Sequence, residues 1–180
     1  MSSSFSGSRL ATRSVDARSV GFLLAGASAV AGSKMTAAIR QQPPASGARD
    51  VAGAWVVGVH SHNEGRARDF ADRQGIVHFS SDFQELLARH EVRCVYVGNH
   101  PRRHAETVAA ALGAHKHVLC EAPLALHPAE ATTLGRMAEQ RGLVLGMNYT
   151  WRASAALRRL HDLLAEDAIG ELLGGSIRNS

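Results

Sequence analysis

VGFLLAGASAVA, residues 20 to 31, decides how this chain folds. An apolar run of strand type, Val20 to Ala25, breaks at Gly26, passes through small residues and enters a helix predicted through Met35 to Gln41. The turn GASAVA, Gly26 to Ala31, is a G-x-S-x-x-A variant of the dinucleotide fingerprint G-x-G-x-x-G. In that fingerprint the first glycine makes a tight turn, the second position lets the backbone approach a pyrophosphate, and the third allows a helix to pack closely on its strand. Gly26, Ala27, Ser28, Ala29 and Val30 are therefore candidate cofactor-binding residues, with Ala31 at the packing position. A small-residue turn without a ligand is the plain alternative. Position favours the fingerprint, because the turn follows the first strand and opens the first helix of a βαβ unit.

The same alternation continues along the chain. AWVVGVHS, IVHF, CVYVGN, HVLCE and LVLGMNY read as strands. Between them, helices are predicted from Asn63 to Arg73, over SDFQELLARH with Ser81 or Asp82 as its cap, from Arg103 to Leu112 and over PAEATTLGRMAEQRG, with a last one from Ala153 to Glu166. Parallel strands covered on both faces read as continuous apolar runs, and these do. The pattern predicts an α/β fold: a doubly wound parallel sheet of six strands with helices on both faces and right-handed crossovers.

Ligands bind at the carboxyl ends of such strands, so the polar residues there carry the functional reading. The second strand runs into Ser61, His62 and Asn63, where an NAD-preferring site places an acid against the ribose 2′-hydroxyl. No acid is present. A serine hydroxyl, a histidine and the nearby Arg66 and Arg68 suit a 2′-phosphate, which points to NADP over NAD. A solvated helix face is the alternative for these basic residues.

Composition bounds the rest. With 180 residues, 45% hydrophobic and 20% charged, one domain is expected. The apolar run from Val20 is interrupted by glycine and falls short of the roughly 20 residues of a membrane span, so no membrane partner is expected. The net charge of +4 would admit nucleic acid, but the arginines are scattered and aromatic content is 5%, so none is expected. Cys94 and Cys120 lie within strand-type runs, with no spacing for a metal, and fit a cytoplasmic, reducing compartment. Residues 1–19 are rich in serine and arginine with a single acid, as in flexible tails and organelle transit peptides; the tail is the expected reading.

The series CVYVGNHPRRH, then AHKHVLCEAPLAL about 20 residues on, then LVLGMNYTWR, resembles the Gfo/Idh/MocA oxidoreductase family. The turn at Gly26 and the serine after the second strand look most like its NADPH-dependent, 1,5-anhydro-fructose reductase-like members. The resemblance implies a dinucleotide-binding Rossmann domain over 20–150. Residues 151–180 would then hold a linking helix and, from Gly170, the start of a C-terminal α+β sheet domain that is otherwise missing or truncated. It further implies hydride transfer between NADP(H) and a sugar-like or polyol substrate, and a possible oligomer where that sheet exists.

By position, Gly98, Asn99, His104 and Asn148 fall on the cofactor side, and Pro101 stands where many members have asparagine. Glu121 and Pro123 match the ends of the family's Glu-Lys-Pro motif, and Glu121 and Arg152 are its implied catalytic residues, with Glu121 also facing the nucleotide. The family's lysine is Ala122 here. A methyl group supplies neither the charge nor the proton donors of an ammonium. Two readings stay open: an oxidoreductase or its cofactor-binding portion, and a catalytically silent dinucleotide-binding protein.

Overall fold

The computed structural model describes residues 19–40, 53–149 and 154–171, with 173, 174 and 176. It contains six strands: β1 Val20–Ala25, β2 Ala54–His60, β3 His78–Ser80, β4 Val92–Val97, β5 His117–Cys120 and β6 Leu145–Met147. They form one sheet in the order β3-β2-β1-β4-β5-β6, and every pairing is parallel. The chain winds outward from β1 to β3 and then returns to place β4 on the other side of β1. That reversal opens a crevice at the carboxyl ends of β1 and β4.

The helices are α1 Thr36–Arg40, α2 Glu64–Gln74, α3 Phe83–Leu87, α4 His104–Gly113, α5 Pro128–Gln140 and α6 Ala155–Ala165. The two faces of the sheet divide the core into two layers, and a register shift in β2 at Val57 puts Val57 and Val59 in different ones. Leu23, Val57, Val95 and Val97 pack with Leu86, Val108, Leu112 and Leu134 from α3, α4 and α5. Leu24, Val56, Val59 and Tyr96 face the other way, onto Ile39 of α1 and Phe70 of α2. Each fully buried aliphatic side chain of this kind stabilises the fold by roughly 1.5–3 kcal/mol. This is the doubly wound Rossmann architecture that the strand runs predict.

Local chemistry sets the helix starts. Asn63, expected inside a helix, is instead the N-cap of α2, its side chain accepting from the Arg66 N–H at 2.8 Å. Of the two candidate caps for α3, Asp82 is used: its Oδ1 accepts from the N–H groups of Gln84 and Glu85. The first helix begins earlier than predicted, as a π-helical turn over Ala31–Met35 that runs into α1. Gln41 lies outside the described residues.

α6 buries none of its residues. The strand expected from Gly170 is not seen at the described positions 170, 171, 173, 174 and 176, and the rest of that stretch lies outside the described residues. Among the described residues no helix is long and apolar enough to cross a membrane.

Candidate dinucleotide site

Three backbone segments meet beneath the turn after β1. The N–H of Gly26 donates to the carbonyl of His60 at 3.0 Å, and the N–H of Gly98 donates to the carbonyl of Ala25 at 3.0 Å. Gly26 has a φ of 120°, and a Cβ there would stand 2.7 Å from the backbone nitrogen of Asn99. Only glycine fits, in both conformation and space. The residues that follow rise out of the core: Ala27 and Ser28 are half-buried, Ala29 and Val30 exposed. Ser28 turns its hydroxyl inward to accept from the Ala31 N–H at 3.1 Å, so its side chain caps the first helix. Ala31 is fully buried, as its packing position requires.

At the end of β2, Ser61 is buried and its N–H donates to the carbonyl of Ser80 at 3.3 Å. His62 and Arg66 are exposed. Arg68, read with them in the sequence, carries its guanidinium over the Phe79 ring, 5.4 Å from the centroid. Neighbouring His60 is buried, its ring 5.0 Å from both His62 and Phe83. Burial, and then His62, hold its imidazole below the ordinary histidine range.

Beyond β4, a Cβ at Gly98 would lie 2.6 Å from the Tyr96 ring. Asn99 donates from Nδ2 to Thr107 Oγ1 at 2.9 Å, while its Oδ1 is buried with no hydrogen-bond partner among the described residues. Pro101 opens a 3₁₀ turn, Pro101–Arg103, which leads into α4. His104, the first residue of α4, is buried; its Nδ1 lies 2.6 Å from the Pro123 carbonyl and its Nε2 3.0 Å from the Asn99 carbonyl. It ties the loop after β4 to the loop after β5.

On the β5 and β6 side, Oε1 of Glu121 accepts from the Tyr96 hydroxyl at 2.7 Å and from Asn148 Nδ2 at 2.6 Å. Burial, and then the Glu121 carboxylate, push the Tyr96 phenol up, so it stays a donor. Asn148 Nδ2 also reaches Met35 Sδ at 3.8 Å, linking β6 to the first helix. Ala122 is exposed beside this cluster. Arg152 lies outside the described residues.

The structure thus brings Gly26, Ser28, Gly98, Asn99, His104, Glu121 and Asn148 to one edge of the sheet, with Ser61, His62 and Arg66 at the neighbouring strand end. It adds residues that the sequence reading passed over. Tyr96 reads as one more core aromatic, and only strand register places it under Glu121. Thr107 and Met35 read as helix residues, and Arg103 as part of a basic loop.

Residues 20–149 match the Gfo/Idh/MocA family, described as an oxidoreductase family with an NAD-binding Rossmann fold. The chain is 35% identical over 131 residues to a 1,5-anhydro-D-fructose reductase from Ensifer adhaerens, covering 73% of this chain and 39% of that protein. It is 36% identical over 127 residues to a dTDP-3,4-didehydro-2,6-dideoxy-alpha-D-glucose 3-reductase from Saccharopolyspora spinosa, covering 68% and 37%. Among solved structures it resembles KijD10, a 3-ketoreductase from Actinomadura kijaniata in complex with NADP. The TM-score is 0.74 at 30% identity, over 84% of this chain and 45% of the other. The chain therefore spans less than half the length of these relatives. On the family match and these identities together, the chain belongs to the Gfo/Idh/MocA family of oxidoreductases, through its NAD-binding Rossmann fold.

Proposed function

We propose that this chain is the nucleotide-binding part of an NADP(H)-dependent oxidoreductase that moves a hydride to or from a sugar-like or polyol carbon. The observation that carries the proposal is the cradle at the switch point. Gly26 and Gly98 leave no room for a side chain, and beside them the buried Oδ1 of Asn99 has no partner among the described residues. A buried polar atom without a partner costs about 1–3 kcal/mol, so a ligand group that satisfies Asn99 would be stabilising. The residues present fit a dinucleotide.

In this reading Gly26 to Val30 hold the pyrophosphate, and Ser61, His62 and Arg66 hold the adenosine ribose. Gly98, Asn99, His104, Glu121 and Asn148 lie toward the nicotinamide, which exchanges the hydride when bound. Glu121 fixes the amide of Asn148, and Arg152 is the second catalytic residue that the family pattern implies. NADP is preferred because no acid stands at the end of β2. Family membership does not make that choice: KijD10 is in complex with NADP, while GenD2, from gentamicin A biosynthesis, is in complex with NAD at 25% identity to this chain. The free cysteines Cys94 and Cys120, whose thiols burial pushes up to about 12, suit a reducing compartment such as the cytoplasm.

A silent dinucleotide-binding protein is the second reading, and Ala122 favours it. Calorimetric titration with NADPH and NADH tests the shared core of both. Binding of NADPH more tightly than NADH is expected, and a chain that binds neither overturns both readings.

A further inference from the structure

We infer that Arg103 and His62 form a clamp across the crevice for the 2′-phosphate of the nucleotide, with Arg103 the residue that sets the preference for NADPH. The inference rests on the dinucleotide reading above and adds a residue from the opposite strand end. His62 follows β2 and Arg103 follows β4, so the two flank the turn at Gly26 from either side. A guanidinium nitrogen of Arg103 nevertheless lies against Nε2 of His62, between residues 41 positions apart.

The imidazole can accept from Arg103 but carries no negative charge to match the guanidinium, which stays without a counter-ion unless a carboxylate also reaches it. None does: among the described residues, neither Arg103 nor His62 forms an ion pair. Asp82, the acid that acts on neighbouring His60, turns its Oδ1 to the N-terminus of α3. Both Arg103 and His62 are exposed, so a ligand can reach them. Buried His60 packs beside His62, ring centroids 5.0 Å apart, and also meets partly buried Phe83 at 5.0 Å.

The chemistry selects the ligand. A guanidinium presents five N–H donors in a planar fork, and the recorded side-chain partner of Arg103 here is a single imidazole. A phosphomonoester accepts two parallel N–H bonds from such a fork, which a ribose hydroxyl cannot do. The pair sits at the strand end where the adenosine ribose lies in this fold. The phosphate would replace His62 as acceptor for Arg103 and take a further bond from the histidine.

The test uses the full chain and four probes in calorimetry: 2′,5′-ADP, 5′-ADP, NADPH and NADH. The wild type should prefer each 2′-phosphorylated probe. Arg103→Gln should weaken 2′,5′-ADP and NADPH by about 10- to 100-fold, the range for hydrogen bonds to a charged group, and leave 5′-ADP and NADH within about twofold. Arg103→Lys should recover part of the loss, since it restores charge without the fork. Because Arg103 is exposed, the variants should fold, and unchanged circular dichroism would confirm it. Equal wild-type affinity for phosphorylated and unphosphorylated probes, or equal losses for both in Arg103→Gln, overturns the clamp and leaves the dinucleotide reading standing. Failure of the wild type to bind any of the four overturns both.

Discussion

The side-chain amide of Asn148 donates to Oε1 of Glu121 at 2.6 Å, and the hydroxyl of Tyr96 donates to the same oxygen at 2.7 Å. One carboxylate oxygen therefore joins β4, the residue just past β5 and the residue just past β6. The backbone supports the arrangement, with the Glu121 N–H on the Val97 carbonyl at 2.9 Å and the Asn148 N–H on the Cys120 carbonyl at 2.8 Å. Bonds to a charged acceptor are the stronger kind, so Glu121 anchors the loops after β5 and β6 to β4 in one geometry.

Removing the buried donor tests that anchor. Tyr96→Phe keeps the ring and its packing but deletes the hydroxyl, and should lower stability by about 1–3 kcal/mol in urea denaturation. An unchanged denaturation midpoint would show that the bond contributes nothing.

Gly26→Ala probes the cradle. The added Cβ would stand 2.7 Å from backbone, at a φ of 120°, so strain of about 1–3 kcal/mol and loss of nucleotide binding are expected. Gly75→Ala is the control: its φ is also positive, at 57°, but a Cβ there meets nothing within 4 Å. It should cost only the left-handed penalty of about 1–2 kcal/mol and leave binding intact. Equal effects of the two variants on binding would remove Gly26 from the site.

What could be read from the sequence follows from the range of each interaction. LLA of β1, VVGVH of β2 and CVYV of β4 announce buried parallel strands, because both faces of each are covered and no polar alternation interrupts them. Gly26 is legible for a similar reason, since a strand-to-helix turn that tight needs glycine. The union of Tyr96 with Glu121 spans 25 positions and depends on the register of β4 against β5, which no local pattern encodes. The packing of Arg68 over Phe79 depends on how α2 lies against β3, which no local pattern encodes. The π-turn at Ala31–Met35, which sets Met35 against Asn148, has no signature in residue type.

Stability should depend on pH through buried His60 and half-buried His78. Burial, and then His62, hold His60 below its usual 6.5, and burial lowers His78 likewise. As pH falls through 6.5 the unfolded chain takes up protons that the folded chain does not, so their contribution is present above 6.5 and lost below it. In Glu91, burial is outweighed by hydrogen bonds from its own backbone and Arg89, and the carboxyl lies below 4.5, outside this window. Urea midpoints should therefore fall between about pH 7.5 and about pH 5.5, and His60→Gln should flatten the fall in part, with His78 keeping a share. A slope identical to the wild type would acquit His60.

Ser61→Asp tests the ribose end from the β2 side. A carboxylate there can accept from a 2′-hydroxyl and repels a 2′-phosphate, so the NADH-to-NADPH affinity ratio should rise by roughly 10-fold or more. Ser61 is 9% exposed, and a ratio that does not move would mean that its position is closed to the ribose.

Ala122 should limit catalysis more than cofactor binding. It is exposed, it follows the anchored Glu121, and it makes none of the hydrogen bonds that hold the cradle together. In the proposed reading a lysine at that position would add an ammonium on the substrate side while leaving the contacts of Gly26, Asn99 and Asn148 in place. Proton transfer by a positioned group typically contributes about 100- to 10,000-fold in rate. Ala122→Lys is therefore made in this chain and in a version extended by a C-terminal sheet domain from a relative, with turnover measured on a panel of sugars and polyols. A gain confined to the extended version shows that the ammonium acts only when a substrate wall is present. No gain in either, with NADPH affinity unchanged, favours the silent dinucleotide-binding reading. Ordinary turnover by the unaltered chain overturns that expectation and directs the search for the proton donor to Arg152 and to His100, which is exposed in the loop after β4.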